Sequence, residues 1–233
     1  MSPATAAGQS TRFLRFFEAT IVKKAIMAIT GVVLFGFVTG HLLGNLQVFL
    51  GPERLNSYSA FLKSNLELLW GVRTLLLICV LAHIVVTIQL AALKSRARPV
   101  SYVRKDNAHS SVASRSMYYT GPMIAAFIVY HLLHLTVGTV HPLFSEEDVY
   151  ANVVYGFSQW PVSMAYVVAI GLLCLHLNHG IYSLFQTLGL AHPRYMAKIK
   201  AGAAAISIIF FAGYVSIPAA VLLGLLRTGP VRL

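Results

Sequence analysis

The chain has 233 residues, 57% of them hydrophobic and only 11% charged. Soluble domains carry about 25% charged residues, so the composition excludes a soluble globular protein and leaves too little loop for a separate soluble domain. The net charge of +11 does not indicate nucleic acid, because the basic residues sit in short loops beside apolar stretches, where they set membrane topology.

Residues 1–10 are small and polar and are expected to be disordered. Arg12 to Lys24, with Phe13, Leu14, Phe16 and Phe17 interleaved, reads equally as an interfacial helix or as a simple cytoplasmic flank. No n-region, h-region and cleavage-site order is found, so no removable signal peptide is expected. Five uncharged stretches follow: Ala25 to Phe49, Thr74 to Leu93, Met117 to Val140, Pro161 to Leu188 and Ala201 to Leu226. Each is close to the roughly 20 residues that cross the hydrocarbon core. Pro218 is expected to kink the fifth.

The predicted fold class is an all-α integral membrane protein with five transmembrane helices: a four-helix bundle plus a fifth helix. Residues 1–24 form a tail, 25–226 the membrane domain and 227–233 an outer tail. An inside N-terminus puts thirteen Lys and Arg on inner segments and five on outer ones. The positive-inside rule therefore favours a cytoplasmic N-terminus and an outer C-terminus in the cytoplasmic (inner) membrane. The third loop, with Glu146, Glu147 and Asp148, is acidic and outside. No long repeat is evident. Cys79 and Cys174 both fall in apolar spans and read as packing residues rather than a disulfide. No CxxCH motif occurs, which excludes covalently attached haem.

Nine histidines remain to be placed. His109 and His192 lie in cytoplasmic loops and His141 at the outer membrane edge, where a solvated or capping role is expected. Six lie within the membrane: His41, His83, His131, His134, His176 and His179. An imidazole at that depth needs a partner, since hydrocarbon provides none. At about 1.5 Å per residue, His41 and His131 stand roughly 25 and 24 Å from the inner ends of their spans. By the same rise His83 and His176 stand roughly 17 and 18 Å from theirs. Two levels, each served by two helices, match two bis-histidine haems. His134 and His179, each three residues further on, are alternatives within one turn. His131 and His176 are preferred as ligands, with the companions bonding haem propionates or a neighbouring helix. Gly40, Gly44, Gly138 and Gly180 are expected to make room beside the ligands. A di-iron bundle needs inward carboxylates, and all seven acidic residues lie in loops or flanks. A closed zinc site needs four ligands at one depth.

Four stretches carry a family resemblance: GHLLGNLQVFLGPERLN from Gly40, LAHIVVTIQLAALKSRARP from Leu81, SRSMYYTGPMIAAFIVYHLLHLTVG from Ser114, and LHLNHGIYSLFQTLGL from Leu175. Together they resemble the cytochrome b subunit of succinate dehydrogenase and fumarate reductase, in its single-polypeptide di-haem form. The resemblance implies that His41 and His131 ligate an outer haem b, and His83 and His176 an inner one. It also implies a flavoprotein and an iron–sulfur subunit docked on the cytoplasmic face, and a membrane quinone, usually menaquinone. One type in that family has a glutamate two residues before the fourth ligand, thought to move protons; here that position is Cys174, which removes the carboxylate.

The expected role is an electron path from an iron–sulfur cluster through the inner and then the outer haem, with quinone bound near a haem edge. Asn45, Gln47, Tyr58 and Glu67 are candidate quinone or proton-relay groups, each singly more ordinary as a loop-packing or capping residue. Lys23, Lys24, Ser114 and Arg115 are candidates for haem propionates or anionic lipid. The segment Arg96 to Arg115 is a candidate docking surface for the soluble subunits, or only a topogenic loop. Two other readings stand beside this one: a di-haem subunit of another quinone-linked dehydrogenase, and a haem-free anchor whose histidines cross-link helices.

Overall fold

A computed structural model describes residues 19–97 and 112–228, with backbone only for 112–114. The basic stretch before residue 19, most of the loop between the second and third spans including His109, the Ser114 side chain and the end of the C-terminal tail lie outside the described residues.

Among the described residues every regular element is helical. α1 (Thr20–Asn45) runs into a 3₁₀ extension (Leu46–Leu50), followed by α2 (Pro52–Ser64) and α3 (Leu66–Arg96). α4 (Val112–Leu132) ends in a π turn (Leu133–Val137), followed by α5 (Val149–Ser158), α6 (Trp160–Thr187) and α7 (Pro193–Leu222). Five of these are long and apolar enough to cross a membrane: α1 with its extension, α3, α4 with its π turn, α6 and α7. Large apolar side chains such as Leu77, Ile88, Val129 and Ile208 point outward. That is the surface a helix presents to lipid, where the backbone must satisfy itself internally.

The spans fall where hydropathy puts them, but the helices run further. α3 begins at Leu66 rather than Thr74, and Glu67 and Arg73 lie within it. Asn65 caps it, its side chain accepting from Leu68 N at 3.1 Å. Arg73 stays on the helix with its guanidinium over the Trp70 ring, 5.1 Å from the centroid. α7 begins at Pro193 rather than Ala201 and takes in Arg194, Lys198 and Lys200. His192 caps it by accepting from Arg194 N at 3.2 Å, the capping role expected of a loop histidine. A charge ends the stretch that can sit in hydrocarbon; it does not end a helix.

The third loop departs more from expectation. Its acidic part is followed by α5, which is buried along most of its length, with Tyr150, Val153, Val154 and Phe157 in the core. Asp148 caps α5 through Ala151 N at 2.9 Å and accepts from Asn56 Nδ2 of α2 at 2.9 Å. Asn56 Oδ1 in turn accepts from Tyr150 N at 2.9 Å, and Lys63 Nζ donates to the Glu146 carbonyl. These bonds make α2 and α5 a lid over the outer end of the bundle. The buried cluster gathers beneath it: Leu42, Val48, Leu55, Tyr166, Ile170, Ile217 and Val221. Asp148→Ala strands two donors at once. It is expected to reduce stability by about 1–3 kcal/mol, read as a lower thermal midpoint of the detergent-solubilised protein. An unchanged midpoint would show that Asp148 does not hold the lid.

Cys79 and Cys174 are buried free thiols, as their positions in apolar spans require.

Candidate functional site

Helices that cross side by side bring the intramembrane histidines into two facing pairs. At the outer level His41 of α1 faces His131 of α4, ring centroids 5.8 Å apart and planes at 84°. At the inner level His83 of α3 faces His176 of α6, centroids 6.3 Å apart at 57°. Thr30, which touches His83, and His41 are both on α1; the eleven-residue step from one to the other corresponds to about 16 Å along the axis.

Hydroxyls from neighbouring helices meet these rings at Nδ1. Thr30 Oγ1 lies 3.0 Å from His83 Nδ1, and its own proton goes back to Ile26 O at 2.8 Å. The hydroxyl oxygen therefore accepts, His83 donates from Nδ1, and the bare Nε2 is left free to coordinate. Thr120 Oγ1 lies 3.4 Å from His176 Nδ1. Tyr166 OH lies 3.2 Å from His131 Nδ1 and 3.0 Å from His134 Nδ1. His41 stacks on Phe37, centroids 5.3 Å apart at 19°. The fifth span contributes without a histidine: Tyr214 donates to Val38 O at 2.7 Å and its ring lies 6.4 Å from that of His41.

Of the alternatives within one turn, geometry separates them. His131 is the ring that faces His41; His134 is 1% exposed. It stacks on Tyr130 at 5.5 Å and lies beside His141 at 5.0 Å. Gly156 of α5 makes the room, since a Cβ there would lie 2.8 Å from His134 Cε1. The helix widens into a π turn from Leu133, and both rings still reach the Tyr166 hydroxyl. The ring that meets His83 is that of His176, not of His179.

Of the two roles expected of His141 at the membrane edge, solvated or capping, the solvated one does not hold. It is 6% exposed, accepts at Nδ1 from Leu143 N at 3.2 Å, and meets Asn152 O with Nε2 at 3.0 Å. Since Nδ1 accepts, Nε2 carries the proton and donates. This pins the loop to α5.

The glycines divide. Gly40 and Gly180 border open space. Gly44 instead receives Tyr58, whose Cε1 would lie 2.9 Å from an added Cβ, and Gly138 receives the Phe144 ring. Gly44 thus serves the packing of α1 on α2, and Gly138 the packing of the turn on the following loop, rather than room beside the histidines. Gly31, which sequence reading passed over, lies against His83: an added Cβ would be 3.7 Å from Cε1.

The candidate quinone residues are spread along the outer end. Asn45 Nδ2 donates to His41 O at 2.8 Å, and Tyr58 is packed under Gly44, one residue away. Gln47 is half-buried in the 3₁₀ extension, and Glu67 is exposed in the first turn of α3. At the inner edge, Lys24 borders an apolar cleft of about 210 Å³ formed with Ile21, Ala25, Ala28, Ile29, Thr187 and Leu188. Arg115 is exposed near the start of α4.

The residues fit a bis-histidine haem at each level. Two metal–nitrogen bonds of about 2 Å, plus about 1.1 Å from each nitrogen to its ring centre, require centroids about 6 Å apart. The observed 5.8 and 6.3 Å meet that requirement. A metal-ligating histidine usually donates its other ring N–H to a neighbouring acceptor, and a hydroxyl stands at Nδ1 of His83, His176 and His131.

Neither the curated proteins nor the solved structures searched contain a match to this chain. Residues 94–215, from the end of α3 through most of α7, match the family model described as succinate dehydrogenase/fumarate reductase transmembrane subunit. With spans, lid and paired histidines in place, the chain belongs to the family of transmembrane subunits of succinate dehydrogenase and fumarate reductase.

Proposed function

We propose that the chain is the single-polypeptide, di-haem type of this subunit, linking an iron–sulfur partner to membrane quinone. The observation that carries the reading is the meeting of four imidazoles from four spans as two pairs, 5.8 and 6.3 Å apart. His41 and His131 would hold an outer haem b, and His83 and His176 an inner one. Bound there, the haems supply one-electron transfer across the membrane, and two protein ligands on each iron leave no position for oxygen or substrate.

The chain's own residues do the rest. Thr30 fixes the tautomer of His83. The lipid-facing side chains keep water from the rings. Asn45, whose Oδ1 remains an acceptor, and Gln47 and Tyr58 lie at the outer end as polar groups for a quinone head; Glu67 stands at the outer surface for proton exchange. At the inner end Lys23, Lys24 and Arg115 supply positive charge for propionates or anionic lipid. His134 and His179 are companions, not ligands. The flavoprotein and iron–sulfur subunits would dock on the cytoplasmic face, where the N-terminus also lies, with the C-terminus outside. With Cys174 at the position of the family's glutamate, no carboxylate path crosses at that point.

The test is the haem content of the complex isolated from membranes with its partner subunits. Two b-type haems per chain are expected, with reduced b-type absorption. A colourless complex, expressed where porphyrin is plentiful, would leave only a haem-free anchor. Identification of co-purifying subunits separates a succinate- or fumarate-linked complex from another quinone-linked dehydrogenase.

A further inference from the structure

α1 and α4 carry the same pattern. Thr30 precedes His41 by eleven residues, and Thr120 precedes His131 by eleven. Eleven residues complete three helical turns to within about 20°, so each threonine lies under its histidine on one face. Each outer-level histidine meets its counterpart, while each threonine turns to the histidine of the following span: Thr30 to His83 and Thr120 to His176. The four spans thus form two equivalent helix pairs, α1 with α3 and α4 with α6. In the second pair α6 returns a hydroxyl, Tyr166, to His131.

We propose that Thr30, Thr120 and Tyr166 are positioning residues that orient the imidazoles and set their donor strength, Thr30 and Thr120 for the inner pair and Tyr166 for the outer. This rests on the haem reading above. Thr30 is the clearest case, since its hydroxyl has backbone carbonyls to donate to at Ile26 and Met27, which leaves its oxygen to accept from His83. Tyr166 has one proton for two Nδ1 atoms. For His131 to present a bare Nε2 it must donate from Nδ1 to the tyrosine oxygen, and the tyrosine proton then goes to His134. His134 is well placed to receive it, being held by Tyr130 and by the space at Gly156. The Tyr166 ring is fixed independently of its hydroxyl by edge contacts to Phe127 at 4.9 Å and Phe157 at 4.8 Å. Tyr166→Phe therefore removes the hydrogen bond and leaves the packing.

A hydroxyl that accepts from a ligand's Nδ1–H raises that ligand's basicity and favours the ferric state. Its removal should raise the reduction potential of that haem alone. The experiment is an optical redox titration of the intact two-haem complex, each haem assigned by its loss in His83→Ala or His131→Ala. Thr30→Val is expected to lower the ferric-to-ferrous ratio of the His83-dependent haem at fixed poise by about three- to tenfold, tenfold being about 59 mV for one electron. Tyr166→Phe should do the same to the His131-dependent haem, and Thr30→Ser should restore the original value. A shift in the other haem, an equal shift in both, or two retained haems with unmoved potentials overturns the assignment. If Thr30→Val loses its haem outright, recovery in Thr30→Ser supports the hydroxyl and failure to recover overturns it. Absence of haem from the unsubstituted complex would instead sink the functional reading beneath.

Discussion

His41→Ala and His131→Ala are each expected to remove the same haem, leaving about half the haem of the parent complex. The two rings face each other across 5.8 Å from α1 and α4, so deleting either leaves one imidazole on one side of the iron. His134, stacked on Tyr130 and packed beside His141, is not expected to take its place. His83→Ala and His176→Ala should remove the other haem, and His179→Ala neither. Absorption and paramagnetic resonance spectra of the remaining low-spin haem would be the same for the members of a pair and different between pairs. If His41→Ala and His131→Ala retained different haems, the pairing of α1 with α4 would be wrong.

Gly138→Ala carries the largest expected effect on folding. Gly138 ends the π turn of the third span at φ 83°. That left-handed conformation costs a residue with a Cβ about 1–2 kcal/mol. An added Cβ would also stand 2.3 Å from Cγ of Phe144, a ring atom near its backbone that cannot swing clear. Overpacking of this kind costs about 1–3 kcal/mol, so about 2–5 kcal/mol is lost in all. The same turn delivers the chain to His141 and the lid, so loss of the outer haem should accompany a fall in the thermal midpoint. A midpoint equal to that of the parent would show that the turn relaxes without harm.

Sequence reading and structure part company at identifiable residues. Hydropathy located the spans because bilayer thickness fixes how many apolar residues are needed. It misjudged the starts of α3 and α7, where Glu67, Arg73, Arg194, Lys198 and Lys200 sit on helices that continue past the hydrocarbon. α5 stayed hidden behind the acidic Glu146 to Asp148. Ten residues are too few to read as a span, and what buries them is a lid made with α2. The threonines were legible in principle, since the eleven-residue offset to the next histidine recurs in two spans. The offset was missed because a threonine in an apolar helix ordinarily bonds its own backbone, as Thr39 does to Phe35 O at 2.8 Å.

The amino-acid sequence by itself determined the membrane class, the five spans and the two heights at which imidazoles stand. Height along a helix depends only on a fixed rise per residue, a local property. The tertiary structure decided which way each ring points. Helices apolar on every side give no amphipathic signal of which face is inward. The facing of His131 toward His41, the burial of His141, and the contact of a hydroxyl on one helix with its neighbour's imidazole thus follow from packing between segments distant in the chain.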